Sequence, residues 1–152
     1  MMEPQIPLIV SRIIAAPCSR IFAAFADPSA LARWFKPNRD TPVEILTYEF
    51  RIGGTYRLAW LLPDGRRPVV RGTFEEIERD QAIRMTWVWE APDPLAGVPM
   101  RVTFHFEQSG GATEVKIVHE GIPNDMACTV HQEGWESTLD VLTDVLIEGP
   151  AT

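Results

Sequence analysis

Residues 101–146 read RVTFHFEQSGGATEVKIVHEGIPNDMACTVHQEGWESTLDVLTDVL, and the apolar period changes once within them. Val102, Phe104 and Phe106 alternate with Arg101, Thr103 and His105. After the Ser109-Gly110-Gly111 turn, Val115, Ile117 and His119 stand against Glu114, Lys116, Val118 and Glu120. Period two on both sides of a glycine turn predicts two strands of a meander, each with one buried face. From His131 the spacing becomes i, i+3, i+4, i+7 through Trp135, Thr138, Leu139, Leu142, Val145 and Leu146, which predicts a long amphipathic helix. Thr129-x-x-Gln132 reads as its capping box. The opposite stripe, Glu136, Asp140, Asp144 and Glu148, sets acids at i, i+4 spacing, where mild repulsion directs them to water.

Upstream, the period of two extends back to Val43. Val43-Glu44-Ile45-Leu46 is a brief strand, Gly53-Gly54 a turn or bulge, and Thr55 to Leu62 a strand ending at Pro63-Asp64-Gly65, a hairpin turn in which proline sets φ and Asp-Gly tolerates positive φ. A further strand runs from about Pro68 to Glu78. The next carries Ile83, Met85, Trp87 and Trp89 on one face, two indoles and a thioether that must meet something large and apolar. Ahead of this meander, Gln5 to Ala15 is β-branched and alternating, a first strand. Pro17 opens a helix bearing Ile21, Phe22 and Phe25. Asp27-Pro28, a cap followed by proline at the first helical position, opens a second helix bearing Leu31, Trp34 and Phe35, closed by Pro37. The order is strand, two short helices, about six antiparallel strands and a long helix, an α+β layout. A twisted meander closing on a long helix leaves a cavity between them as a natural by-product.

The 152 residues, 45% hydrophobic and 23% charged, suit a single domain over 1–152 with a core from about 6 to 147. A formal net charge of −7 argues against a general grip on nucleic acid or anionic lipid, which needs clustered Lys and Arg. The N-terminus has neither a basic nor an apolar leader region, and no stretch approaches the roughly 18 apolar residues of a membrane span, so secretion and membrane insertion are not expected. Cys18 and Cys128 form no C-x-x-C pair, which fits a reducing, cytoplasmic setting.

These motifs, in order, resemble the Hsp90-ATPase-activator-homologue-like (AHSA1-type) branch of the START/Bet v 1-like SRPBCC superfamily. The resemblance rests on Ala15-Ala16-Pro17, Asp27-Pro28 with Leu31 and Trp34, Gly53-Gly54-x-Tyr56, Asp64-Gly65 with Gly72, and Trp87-x-Trp89 ahead of Arg101-Val102-Thr103-Phe104. It continues through the Gly-Gly-x-Thr113 turn, His119-x-Gly121 and Gly134-Trp135-x-x-x-Leu139, spanning roughly residues 6 to 146. It implies the helix-grip fold, a twisted antiparallel sheet wrapped around the terminal helix. Its members are similar to hydrophobic-ligand carriers, aromatic-polyketide cyclases, hormone receptors and co-chaperone domains, and the fold does not choose among them. The co-chaperones carry a separate N-terminal domain for which 152 residues leave no room, so chaperone contact is not expected.

Two groups of side chains are candidate sites. The first is aromatic: Trp34, Phe35, Tyr56, Trp60, Trp87, Trp89, Phe104 and Trp135, which either fill the core or line a pocket for a planar or lipid-like molecule. The second is polar: His119 at the end of an inward stripe and His131 four residues before Trp135, which either orient a ligand, exchange protons, or sit satisfied in the core, His131 near the mouth of the groove. His105 falls on the outer face. Arg84 and Arg101 point outward, and Arg71 is ambiguous. The histidines lack metal-ligand spacing, Gly53-Gly54 lacks the Lys-Ser/Thr of a phosphate loop, and neither cysteine has a clear base, Cys128 being nearer to one through His131.

The expected function is non-catalytic binding of a small hydrophobic or aromatic molecule by Trp34, Tyr56, Trp60, Trp87, Trp89, Phe104, His119, His131 and Trp135, with no cofactor and no metal. The alternatives are a polyketide-cyclase-like or hydratase-like enzyme using His119 or His131, and a chaperone-associated stress-response module. A homodimer is compatible with each.

Overall fold

The computed structural model describes residues 6–148. Strand β1 (Leu8–Ile14) leads to helices α1 (Cys18–Ala26) and α2 (Pro28–Trp34). Six strands follow, β2 (Val43–Tyr48), β3 (Thr55–Trp60), β4 (Val69–Glu78), β5 (Ala82–Trp89), β6 (Met100–Ser109) and β7 (Ala112–Glu120), and then helix α3 (Asp125–Glu148). The strands form one seven-stranded sheet in the order β1-β7-β6-β5-β4-β3-β2. Every pairing is antiparallel. The expected helix-grip layout is therefore present, with β1 returning to pair with the last strand. Side chains on the inner face, among them Leu58, Val70, Ile83, Val102 and Ile117, meet Trp135, Leu139 and Leu142 of α3 in one buried core.

Local chemistry sets the boundaries. Asp27 accepts from the Ser29 amide at 2.8 Å, and Pro28 occupies the first turn of α2, as the cap-plus-proline signal predicts. Pro17 is the N-cap of α1 and not its first helical residue; its carbonyl accepts from Arg20 and Ile21. The reading of Thr129 and Gln132 as the start of α3 is corrected. Asn124 Oδ1 accepts from the Ala127 amide at 2.8 Å, and Asp125 stands in the first turn. An Asn cap with an acid in the positive end of the helix prevails, and Thr129 lies inside the helix. Gly65, at φ +90°, turns the β3–β4 hairpin, where Asp64 Oδ1 accepts from the Arg66 amide. The acidic stripe of α3 is exposed, and two of its members hold cations, Asp140 with Arg12 at 2.6 Å and Glu148 with Arg39 at 2.8 Å.

Gly72 is held by close approach and not by backbone angle. A β-carbon there would lie 2.0 Å from the Thr86 carbonyl oxygen and 2.7 Å from Tyr56 Cε1, at the point where the Tyr56 hydroxyl donates to that same carbonyl. Gly72→Ala is expected to lower the unfolding free energy by about 3 kcal/mol, because backbone cannot give way as a side chain can. A urea midpoint lowered at unchanged slope checks it.

Candidate functional site

Trp87 and Trp89 are two residues apart on β5 and so share a face. Trp60, at the end of β3, and Phe35, at the end of α2, close on them. The Trp60 and Trp89 rings lie 5.7 Å apart, and Phe35 stacks on Trp60 at 6.1 Å. From the helix side Trp135 reaches Trp87 at 5.2 Å. Between these rings and the N-terminal half of α3 lies a cavity of about 540 Å³. Leu62 of the β3–β4 hairpin and Leu95 of the 90–99 loop flank it, and α3 contributes the i, i+4 stripe Met126, Val130, Gly134 and Thr138. Met126 and Val130 are largely exposed, so the cavity opens to water at that end of the helix.

Among the described residues, the polar groups of the lining are nearly all committed. Trp60 Nε1 donates to the Phe35 carbonyl at 2.9 Å. Trp89 Nε1 donates to His131 Nε2 at 3.1 Å, and the Thr138 hydroxyl donates to the Gly134 carbonyl at 2.8 Å. Arg66, a cation at the rim, is bonded to Asp64 at 2.7 Å and is mostly exposed. Asp93 accepts from the Leu95 amide at 2.8 Å.

The two histidines sit with rings 4.7 Å apart and nearly perpendicular. His131 Nδ1 lies 2.8 Å from the Ala127 carbonyl. A carbonyl only accepts, so Nδ1 carries the proton and Nε2 is the lone pair that receives the Trp89 indole. His119 has the opposite tautomer. Its Nδ1 accepts from Trp135 Nε1 at 3.0 Å, which leaves Nε2–H as a donor. Burial, with a smaller contribution from His131, holds the His119 imidazole far below its ordinary 6.5, at about 3. Burial also lowers His131, outweighing the opposing effects of the Ala127 carbonyl and Asp93. Each imidazole is neutral at pH 7 with its lone pair occupied by an indole, a poor arrangement for a general base.

The cavity thus gathers Phe35, Trp60, Trp87, Trp89, His131 and Trp135. Four other residues expected at the pocket stand behind it. Trp34 is buried on Phe25 with its indole donating to the Ala24 carbonyl. Tyr56 packs on Phe74, and Phe104 lies between Phe25 and Trp135. His119 is fully buried behind Trp87 and Trp135, whose rings are 5.9 and 6.1 Å away. All four are buried, each covered by the ring or side chain just named and so kept out of the cavity lining. Arg84 and Arg101 lie on the outer face with Glu75, and Arg71 pairs in register with Arg57 on that face too. His105 is exposed. Cys18 is buried against Thr113, away from the cavity. Cys128 is half-buried, and the ring nitrogens of its neighbour His131 are already bonded elsewhere. No cluster of three or more potential metal-ligating His, Cys, Asp or Glu occurs among the described residues, and none of their helices is long and apolar enough to cross a membrane.

The helical residues Met126, Val130 and Gly134 and the loop residue Leu95 were not among the expected site residues, and Thr138 was read only as part of the core face of the helix. Gly134 was the available signal: a glycine inside a helix costs about 1 kcal/mol against alanine, so it calls for a reason. Here the space a side chain would occupy belongs to the cavity.

Comparison with known proteins agrees with this architecture. The family model described as "Activator of Hsp90 ATPase homolog 1-like protein" matches residues 15–146. Among solved structures, a Chromobacterium violaceum protein superposes with a TM-score of 0.80 at 26% identity, covering 92% of this chain and 96% of that one. The AHSA1 protein from Silicibacter pomeroyi gives 0.82 at 24% identity over 95% of this chain and 100% of its own. A solution structure of an Arthrobacter aurescens protein gives 0.81 at 22% over 95% and 87%. The last two are alike in fold. No curated protein matches the chain.

Proposed function

The chain belongs to the activator of Hsp90 ATPase homolog 1-like family, and on that premise we propose that it binds a small, flat, apolar molecule in the indole-lined cavity without transforming it. The observation that carries this reading is four indoles and Phe35 around about 540 Å³, a volume within the range of small-molecule sites. Indoles suit such a guest because they add ring-on-ring contact to burial. Cyclase or hydratase chemistry at His119 or His131 draws no support from the arrangement, since a proton can reach either lone pair only by displacing an indole N–H. The non-catalytic reading predicts that His131→Ala weakens binding by loosening Trp89.

A thermal-shift screen of lipids and of two- and three-ring aromatic compounds tests the reading. A guest present at 100 times its dissociation constant adds about 2.7 kcal/mol to the folded state. A clear rise in melting temperature with fused-ring aromatics, accompanied by tryptophan quenching, is the expected result. No rise with any member of either class would remove the proposal.

A further inference from the structure

The outer face of the sheet carries a second depression, of about 390 Å³, spread over β2 to β5 and sharing no lining residue with the hollow under α3. Arg57, Arg71, Thr47, Thr73 and Thr86 line it, and no acidic residue does. In a chain of net charge −7 that is the reverse of the average surface. Period two makes the collection: Thr55 and Arg57 on β3, Arg71 and Thr73 on β4, and Thr86 and Val88 on β5 each stand two apart and share a face. The register then sets Arg57 directly opposite Arg71, where like charges work against strand pairing. The other arginines of this hairpin are matched, Arg66 with Asp64 at 2.7 Å and Arg67 with Glu44 at 2.8 Å. Arg57 holds Glu90 through Nε and Nη2, both at 2.8 Å, and its Nη1 is uncommitted among the described residues. Arg71 is exposed and meets no carboxylate among them. Glu90 is drawn below its ordinary value chiefly by Arg57, with Arg71 and Arg67 adding, so it answers to three guanidiniums and bonds one.

The floor of the depression is irregular as well. Pairing of β4 with β5 runs as far as Arg71 and Val88, omits Gly72 and Thr73, and resumes at Phe74 and Met85. In the gap the Tyr56 hydroxyl donates to the Thr86 carbonyl, and the Thr73 amide donates to Thr86 Oγ1 at 2.8 Å. Thr86 is the acceptor in that bond, so its hydroxyl proton is left for another partner. Departures of a sheet from its own pairing rules collect at functional sites in natural proteins. What this corner lacks is negative charge that accepts from several directions. A planar carboxylate is satisfied by one guanidinium fork, as Glu90 already is by Arg57. A phosphate monoester offers three acceptor oxygens and a charge of about −1.5 to −2. We propose that this depression binds a soluble phosphate monoester, with the Arg71 fork as its principal donor, Arg57 Nη1 as the second cation, and the Thr73 and Thr86 hydroxyls completing the set. Nucleic acid or an anionic membrane would also face the acidic remainder of the chain, whereas one small ester meets only the local field.

The test titrates the full chain with inorganic phosphate, glycerol 3-phosphate and acetate at constant ionic strength and pH 7, read from backbone amides in ¹H–¹⁵N spectra. Saturable shifts at Arg71, Gly72, Thr73 and Thr86 are expected with both phosphates, at dissociation constants at least about 10-fold below that of acetate. Arg71→Gln is expected to weaken phosphate binding by about 10-fold or more. Arg79→Gln removes the same charge from the exposed turn between β4 and β5 and should leave binding within about 2-fold. Arg71 is exposed, so its variant keeps the fold, and unchanged amide signals elsewhere verify this. Shifts that never saturate, equal losses in the two variants, or acetate bound as tightly as phosphate would overturn the assignment. With vesicles of phosphatidylcholine containing phosphatidic acid, the protein should stay in the supernatant. Co-sedimentation abolished by Arg71→Gln would overturn the soluble source in favour of a lipid headgroup.

Discussion

Gly134→Leu is expected to lower affinity for a fused-ring aromatic guest by at least 100-fold while leaving the fold as stable as before or slightly more so. A side chain at this position of α3 stands at the cavity wall, in open space. Gly134 lies between Val130 and Thr138 on the stripe that lines the hollow, and a β-carbon built there meets no atom within 4 Å. A leucine β-carbon therefore presses on no neighbour, and a side chain turned inward from it takes volume the guest would use. The helix itself gains about 0.8–1 kcal/mol from losing a mid-helix glycine, and leucine in place of open space adds apolar contact. Few substitutions separate function from stability so cleanly, since truncating Trp87 or Trp135 would remove the site and about 3–5 kcal/mol of core together. Quenching titrations and urea unfolding of the same two samples read both halves. Retained affinity in Gly134→Leu would move the guest to another place on the molecule.

The second large effect is on pH. His119 is held neutral in the folded protein, with its pKa lowered to about 3, and His131 is lowered too, whereas unfolded imidazoles titrate at about 6.5. Below 6.5 the unfolded chain therefore binds protons that the folded chain refuses. The stabilisation these groups provide is complete above about pH 6.5 and is lost as pH falls toward 3. An imidazole kept neutral removes about 1.4 kcal/mol per pH unit across that window, so a fall from pH 7 to pH 5 costs about 2 kcal/mol from His119, and His131 adds to it in the same direction. Carboxylates held low by arginine, Glu75 by Arg101 and Glu90 by Arg57, add to the slope only nearer their ordinary 4.5 and below. The interval from 5 to 7 thus isolates the histidines. Urea unfolding at pH 5, 6 and 7 should show the loss, and His119→Gln, whose amide can still accept from Trp135, should remove the share of about 2 kcal/mol that His119 contributes. Unfolding free energy constant across the interval would mean that the imidazoles are already charged in the folded state.

The fold was legible because its elements carry unmixed signals. Trp87-x-Trp89 and Val115-x-Ile117-x-His119 alternate without interruption, Asp27-Pro28 is a cap and a first turn in two residues, and the core face of α3 from Trp135 to Leu146 keeps one helical spacing. Strand β2 ran beyond its expected end at Leu46 to Tyr48 because a register shift between Ile45 and Thr47 lets pairing with β3 resume. The site was legible only in part, for a different reason. Period two says which face of a strand a residue occupies, not what covers that face. Trp60, Trp87 and Phe104 all point inward, yet Phe104 is met by Phe25 of α1 at 4.8 Å while Trp60 and Trp87 look into the hollow. Likewise the pairing of His119 with Trp135 joins a strand to a helix 16 residues on, and that of His131 with Trp89 spans 42 residues. Such pairings follow from how α3 lies on the sheet, which no local pattern encodes.

The most direct test of an aromatic guest in this hollow uses the chain's own indoles. Each of the five gives one N–H resonance, four belong to rings that line the cavity, and Trp34 lies outside it, bonded to the Ala24 carbonyl. In ¹H–¹⁵N spectra at saturating 9-fluorenone, the signals of Trp60, Trp87, Trp89 and Trp135 should shift while that of Trp34 stays in place. Five stationary signals, or a shift at Trp34 with the other four unmoved, would contradict it.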